Sequence, residues 1–113
     1  MLDTLAALSE PNRFRIVELL RSGPRSVNEI TDRLGLNQPQ ASKHLRVLKE
    51  AGLVDVEPRA QQRLYGLRPH TLRRIHEWLE RYRELWDERF GELDGLLDEL
   101  KAKEKTDGRK RKK

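Results

Sequence analysis

Two helix starts of the same design flank a single glycine. Ser26-Val27-Asn28-Glu29 and Asn37-Gln38-Pro39-Gln40 each place a capping side chain three residues before a Glu or Gln. In such a box the cap side chain accepts from a backbone N–H of the first turn, and the Glu or Gln reaches back to the cap's own N–H. Gly35, which can adopt a left-handed conformation at little cost, lies between them. Helix, tight turn, helix is therefore written into the residues, and few small folds begin that way. Val27, Ile30 and Leu34 face inward on the first of these helices. Ala41, Leu45 and Leu48 form the inner stripe of the second, which Gly52 closes.

The flanking segments extend the pattern. Leu2, Leu5 and Leu8 suggest a short first helix. Ser9 or Glu10 caps a second, with Pro11 in its first turn, where a missing N–H costs nothing. Phe14, Ile16, Leu19 and Leu20 supply its buried side, and Ser22-Gly23-Pro24 ends it. After Gly52 the period shortens to two. Leu53–Glu57 and Arg63–Leu67 read as strands around the polar tip 58–62. Pro69 opens a last helix, with Leu72, Ile75, Leu79, Tyr82 and Trp86 on a heptad seam. Gly91 and Gly95 weaken that helix, so a break near Gly91 is expected. Three segments follow: a core over 1–68, a C-terminal helix over 69–100, and a tail over 101–113. The class is mainly α with a small β-hairpin, a winged helix-turn-helix.

Composition decides which functions remain. The chain has 113 residues, 24 Lys+Arg, 19 Asp+Glu and no Cys. Thiolate metal sites and thiol nucleophiles are excluded. No window approaches the roughly 20 apolar residues that a bilayer helix needs. The start of the chain has no secretory pattern, so a cytoplasmic, nucleoid-associated location is expected. Charge is uneven. Residues 101–113 carry 8 basic and 2 acidic side chains, while the net charge of the whole is +5. The body without the tail is thus slightly acidic, and the tail reads as a disordered phosphate-binding arm or a solvating end.

The argument for a partner rests on placement. At 100° per residue, Ala41, Leu45 and Leu48 cluster on one side of their helix. Gln40, Ser42, Lys43 and Arg46 point broadly the other way, and Gln38 projects from the N-terminal end. Gln can bond adenine bidentately, and Lys or Arg can take guanine or phosphate. With Asn37 and His44 these residues form a candidate recognition helix, and His44, at the edge of the buried face, is expected to pack or to touch a phosphate. Arg59, Gln62, Arg63 and Tyr65 form a candidate wing. Double-stranded DNA is the expected partner. A chain of this size buries only about two-thirds of its unfolded surface, so a second copy is expected to share the core. The expected interface takes Leu2 and Leu5 from the first helix and Leu72, Ile75, Trp78, Leu79, Tyr82, Leu85, Trp86 and Phe90 from the last, because aromatic stripes dominate interfaces.

The segments SEPNRFRIVELL, SVNEITDRLGLNQPQASKHLRVLKEAGLV, RAQQRLYGLRP and HEWLERYRELWDERF resemble the ArsR-type family of winged helix-turn-helix transcriptional regulators. The resemblance runs from about Leu5 to Leu100 and is greatest to the metal-free, SdpR-like subgroup. It implies a homodimeric repressor bound to an inverted repeat. It also implies recognition through Asn37 to Arg46, a wing at the hairpin tip and dimerisation through the terminal helices. Ala60 and Gln61 replace the glycine-arginine pair frequent at the family's wing tip, which removes a charge and a hinge. Metal sensing in the family uses cysteines that this chain lacks, or a carboxylate-x-His pair with a later His. Arg68 occupies the carboxylate position before His70, and no His follows His76. No metal and no cofactor are expected, and the effector is not identified by the sequence. Enzymatic motifs are missing. Non-specific nucleic-acid binding through the tail, a metal-responsive sensor, and protein docking through the aromatic helix are the competing readings.

Overall fold

The computed structural model describes residues 1–87. They divide into two compact units, Met1–His76 and a second that begins at Glu77. The first unit runs past the 68/69 boundary expected above and includes the start of the last helix. The order is α1 (Leu2–Leu8), α2 (Pro11–Leu20), β1 (Arg25–Ser26), α3 (Val27–Leu34), α4 (Gln38–Glu50), β2 (Val54–Arg59), β3 (Gln62–Leu67) and α5 (Pro69–Glu80). No helix among the described residues is long and apolar enough to cross a membrane.

Local chemistry explains the helix starts. Glu10 caps α2 by accepting from the Arg13 N–H at 2.9 Å, and Pro11 takes the first helical position. Ser26 caps α3 and Asn37 caps α4, each with a complete reciprocal box. Gly35 ends α3 at φ +69°, where its N–H bonds the Thr31 oxygen. No heavy atom lies within 4 Å of where a Cβ would sit, so backbone conformation and not crowding favours glycine there.

The core of the first unit is formed by Ile16, Leu20, Ile30, Leu45, Leu48 and Leu53, with Val17 and Val54 beside them. One expectation fails here. Phe14 is 51% exposed, and Val17 takes the buried place. Phe14 sits two residues before Ile16, about 200° around the helix, so both cannot face the same core.

The sheet is also larger than the expected hairpin. Arg25 and Ser26 add a two-residue strand, giving three antiparallel strands in the order β1-β3-β2. The strands of the hairpin reach further than expected, to Arg59 and back from Gln62, leaving only Ala60 and Gln61 at the tip. Pro58 lies inside β2 opposite Arg63. This is tolerated because β2 is an edge strand, where a missing N–H breaks no ladder.

The base of the hairpin is tied to α5. The Thr71 hydroxyl donates to the Gly52 carbonyl oxygen at 2.5 Å, and Leu72 packs on the core. In the second unit α5 stops at Glu80. Arg81 and Tyr82 form a turn whose N–H groups bond the oxygens of Trp78 and Leu79, three residues back, before helix resumes at 83. The break expected near Gly91, Phe90 of the expected interface and the tail 101–113 lie outside the described residues.

Candidate nucleic-acid interface

The recognition segment is presented much as its periodicity requires. Ala41, Leu45 and Leu48 are buried, while Gln38, Gln40, Ser42, Lys43 and Arg46 are exposed. Asn37 is exposed at the cap. Pro39 in the first turn and the capping box fix where α4 begins. Among the described residues, Lys43, Arg46 and Arg63 enter no ion pair, so no described carboxylate neutralises their charges. Such cations, on a helix whose exposed face has no carboxylate before Glu50, suit a polyanion.

Two residues of the segment have roles within the chain, and only Gln40 differs from expectation. Gln40 Oε1 accepts from the Asn37 N–H at 3.1 Å, and Asn37 Oδ1 accepts from the Gln40 N–H at 2.8 Å. The Gln40 carbonyl is thus engaged in the cap, which competes with a bidentate contact to adenine. His44 turns away from the exposed face. Its side chain is 14% exposed, and its Nδ1 lies 3.9 Å from Glu10 Oε1. That nitrogen is buried without a hydrogen-bond partner among the described residues. The Glu10 carboxyl is held below the usual carboxylate range, first by the Arg13 N–H it accepts and then by the nearby His44.

The wing reaches the same region. Arg59, Gln62 and Arg63 are exposed at the hairpin tip. Arg59 lies 3.9 Å from Glu57, a solvent-exposed pair worth little. Tyr65 is set apart from them. It is half-buried, packs on the core and pairs with Arg25 across β1 and β3. The first tip residue, Ala60, has φ +56°, a conformation that glycine adopts more readily.

A cleft of about 300 Å³ joins the two elements. Gln38 lines it from α4, Gln61, Gln62 and Arg63 from the wing, and Ser26, Val27 and Asn28 from the start of α3. The structure therefore brings the recognition helix and the wing tip to one side of the first unit. It adds Asn28 and Gln61, which sequence reasoning missed. The short strand β1 is what sets the start of α3 beside β3, and two residues carry no legible strand pattern.

The expected interface residues are placed as follows. Leu2 on α1 is 79% exposed and Leu5 is half-buried. Leu72, Ile75 and Trp78 are half-buried. Leu79, Tyr82, Leu85 and Trp86 are exposed large apolar groups. Trp78 and Tyr82 meet edge to face with ring centroids 5.6 Å apart. Among the described residues no group of three His, Asp or Glu side chains could hold a metal ion.

Comparison with known proteins agrees with this geometry. Residues 8–57 match the model of a helix-turn-helix domain family. The HTH-type transcriptional repressor SmtB of Mycobacterium tuberculosis is 42% identical over 73 residues, covering 65% of this chain and 54% of that protein. The chain thus spans about half the length of that relative. A solved structure described as a possible transcriptional regulator for arsenical resistance is 37% identical, with a TM-score of 0.62, and is covered over 97% of its length and 88% of this chain. The homodimeric winged helix-turn-helix DNA-binding domain of a possible ArsR-family regulator from Mycobacterium bovis is 26% identical, with a TM-score of 0.62, covering 74% of this chain and 77% of that one. The chain belongs to the ArsR-type family of winged helix-turn-helix transcriptional regulators.

Proposed function

We propose that this protein is a sequence-specific DNA-binding repressor that acts as a homodimer on an inverted repeat. One observation carries the reading: Gln38 at the start of α4 and the wing tip share one cleft, and Lys43 and Arg46 on the exposed face of α4, with Arg63 on the wing, enter no ion pair among the described residues. Lys43 and Arg46 supply phosphate and base-edge contacts from the major groove, with Gln38 and Ser42 beside them. Arg59, Gln62 and Arg63 touch the neighbouring backbone or minor groove. Asn37 and Gln40 hold the start of the helix.

Dimerisation is proposed through the terminal helices. Leu79, Tyr82, Leu85 and Trp86 of the second unit are large exposed apolar groups, as is Leu2 of the first, and a second copy would cover them. Leu5, Leu72, Ile75 and Trp78 would border the same contact. Two recognition helices would then enter successive major grooves about 34 Å apart. Residues 1–68 would supply the DNA-binding core, 69–100 the dimerisation segment and 101–113 a non-specific arm. The protein would act in the cytoplasm, at the nucleoid, by occupying promoter DNA.

The test is binding to the DNA upstream of its own coding sequence, followed by fluorescence anisotropy at several salt concentrations. Lys43→Ala should weaken binding and lower the salt slope by roughly one. Joint replacement of Lys43 and Arg46 by Ala with no loss of affinity would overturn this recognition face. Loss of all binding on removal of residues 101–113 would favour the non-specific reading instead.

A further inference from the structure

We propose that His44 is a positioning residue for DNA binding, whose contact with Glu10 holds the recognition helix on α2 and strengthens operator binding when the imidazole is protonated. The proposal rests on the DNA-binding reading above.

His44 lies between Lys43 and Leu45 on α4, yet its ring faces the cap of another helix. Glu10 is that cap, and its Oε1 already accepts from the Arg13 N–H. At 3.9 Å the His44 Nδ1 is too far for a hydrogen bond to the same oxygen. Nor does it have a hydrogen-bond partner among the described residues. A buried nitrogen left unpaired costs free energy, and a neutral ring at this distance recovers little of it. A protonated ring would make a charge-assisted N–H···O contact with the carboxylate. Histidine is the side chain whose charge changes near neutral pH.

The charged groups around it are few. Glu10 approaches from the cap of α2. Arg13 follows on α2, with its Nε donating to the Ala7 oxygen of α1 at 2.8 Å. Lys43 flanks His44 on its own helix. The carboxylate is the one attractive group among them. Closing the gap would fasten the first turns of α4, which carry Ser42 and Lys43, against α2. A helix held in its bound position loses less entropy on docking, so specific affinity rises.

A protonated His44 could also act as one more positive charge near phosphate, and the test separates the two effects. The full-length wild type, Glu10→Gln and His44→Gln are compared by anisotropy from pH 8 to pH 6, on the operator and on a random duplex of equal length. Glutamine at position 10 keeps a capping oxygen and removes the charge. The random duplex reports general charge effects, including those of His70 and His76. In the wild type the operator-to-random affinity ratio should rise roughly fivefold as pH falls. It should stay flat in both variants. A rise in Glu10→Gln equal to the wild type's, or a flat ratio in the wild type, would overturn the proposal. Coupling between the two positions, read by a double-mutant cycle in urea unfolding, should be larger at pH 6 than at pH 8. Equal coupling at both would overturn the contact itself without any reference to DNA. A wild type that never prefers operator DNA would overturn the functional reading, and the cycle would still judge the contact.

Discussion

Asn37 and Gln40 satisfy each other's backbone at the start of the recognition helix: Asn37 Oδ1 accepts from the Gln40 N–H at 2.8 Å, and Gln40 Oε1 accepts from the Asn37 N–H at 3.1 Å. The residue expected to read a base is thus also a structural one. Asn37→Ala removes a cap and should cost about 1 kcal/mol of stability. Gln40→Ala should lower stability as well, by about 0.5 kcal/mol or more. Urea unfolding checks both. A Gln40→Ala protein as stable as the wild type, but weaker on DNA, would mean that the side chain serves DNA alone.

The bond from the Thr71 hydroxyl to the Gly52 oxygen joins α5 to the turn that closes α4. Thr71 is buried, at 8% exposure, and Gly52 is half-buried. Thr71→Val keeps the shape and leaves the carbonyl oxygen without its donor. The expected loss is about 1–2 kcal/mol, measured by chemical denaturation. Thr71→Ser should recover most of it.

The wing tip carries strain that one substitution should relieve. Ala60 holds φ +56°, where a side chain costs about 1–2 kcal/mol. Glycine removes that cost but loosens the unfolded chain, so Ala60→Gly should stabilise by about 0.5 kcal/mol. Ala60→Val should destabilise, because a branched side chain fits that region worse. Thermal unfolding of the two variants should therefore move in opposite directions.

Acid should weaken the fold in part through Glu10. Its folded carboxyl is held below the ordinary value of 4.5, first by the Arg13 N–H and then by His44. A group with a lowered folded pKa stabilises fully above its unfolded pKa, and the contribution is lost as pH falls through the folded value. Glu10→Gln should thus be less stable than the wild type near pH 7. The gap should shrink as pH drops from about 5 toward 3, which urea midpoints across that range will show. A gap that widens between pH 5 and pH 3 would contradict the sign.

Local signals were legible in the sequence and tertiary ones were not. Both capping boxes, Gly35 and the stripe Ala41, Leu45 and Leu48 stand where the residues place them, because each is settled within one or two turns. The strand Arg25–Ser26 was invisible, since its partners Tyr65 and Leu64 are far away in sequence and two residues make no pattern. Phe14 reads as buried because it is apolar, although Ile16, Val17 and Leu20 define the face. The turn at Arg81–Tyr82 has neither glycine nor proline to mark it. On the candidate site, the outward groups of α4 and the wing arginines were readable from period alone. The inward turn of His44 depends on Glu10 from another helix, and the approach of Asn28 and Gln61 depends on the sheet.

Selection of bound sequences from random double-stranded DNA tests the central claim most directly. Paired recognition helices predict a palindromic consensus whose half-sites are centred about 10–10.5 base pairs apart. Recovery of DNA without any enriched sequence, or of a single unrepeated half-site, would contradict a sequence-specific homodimer.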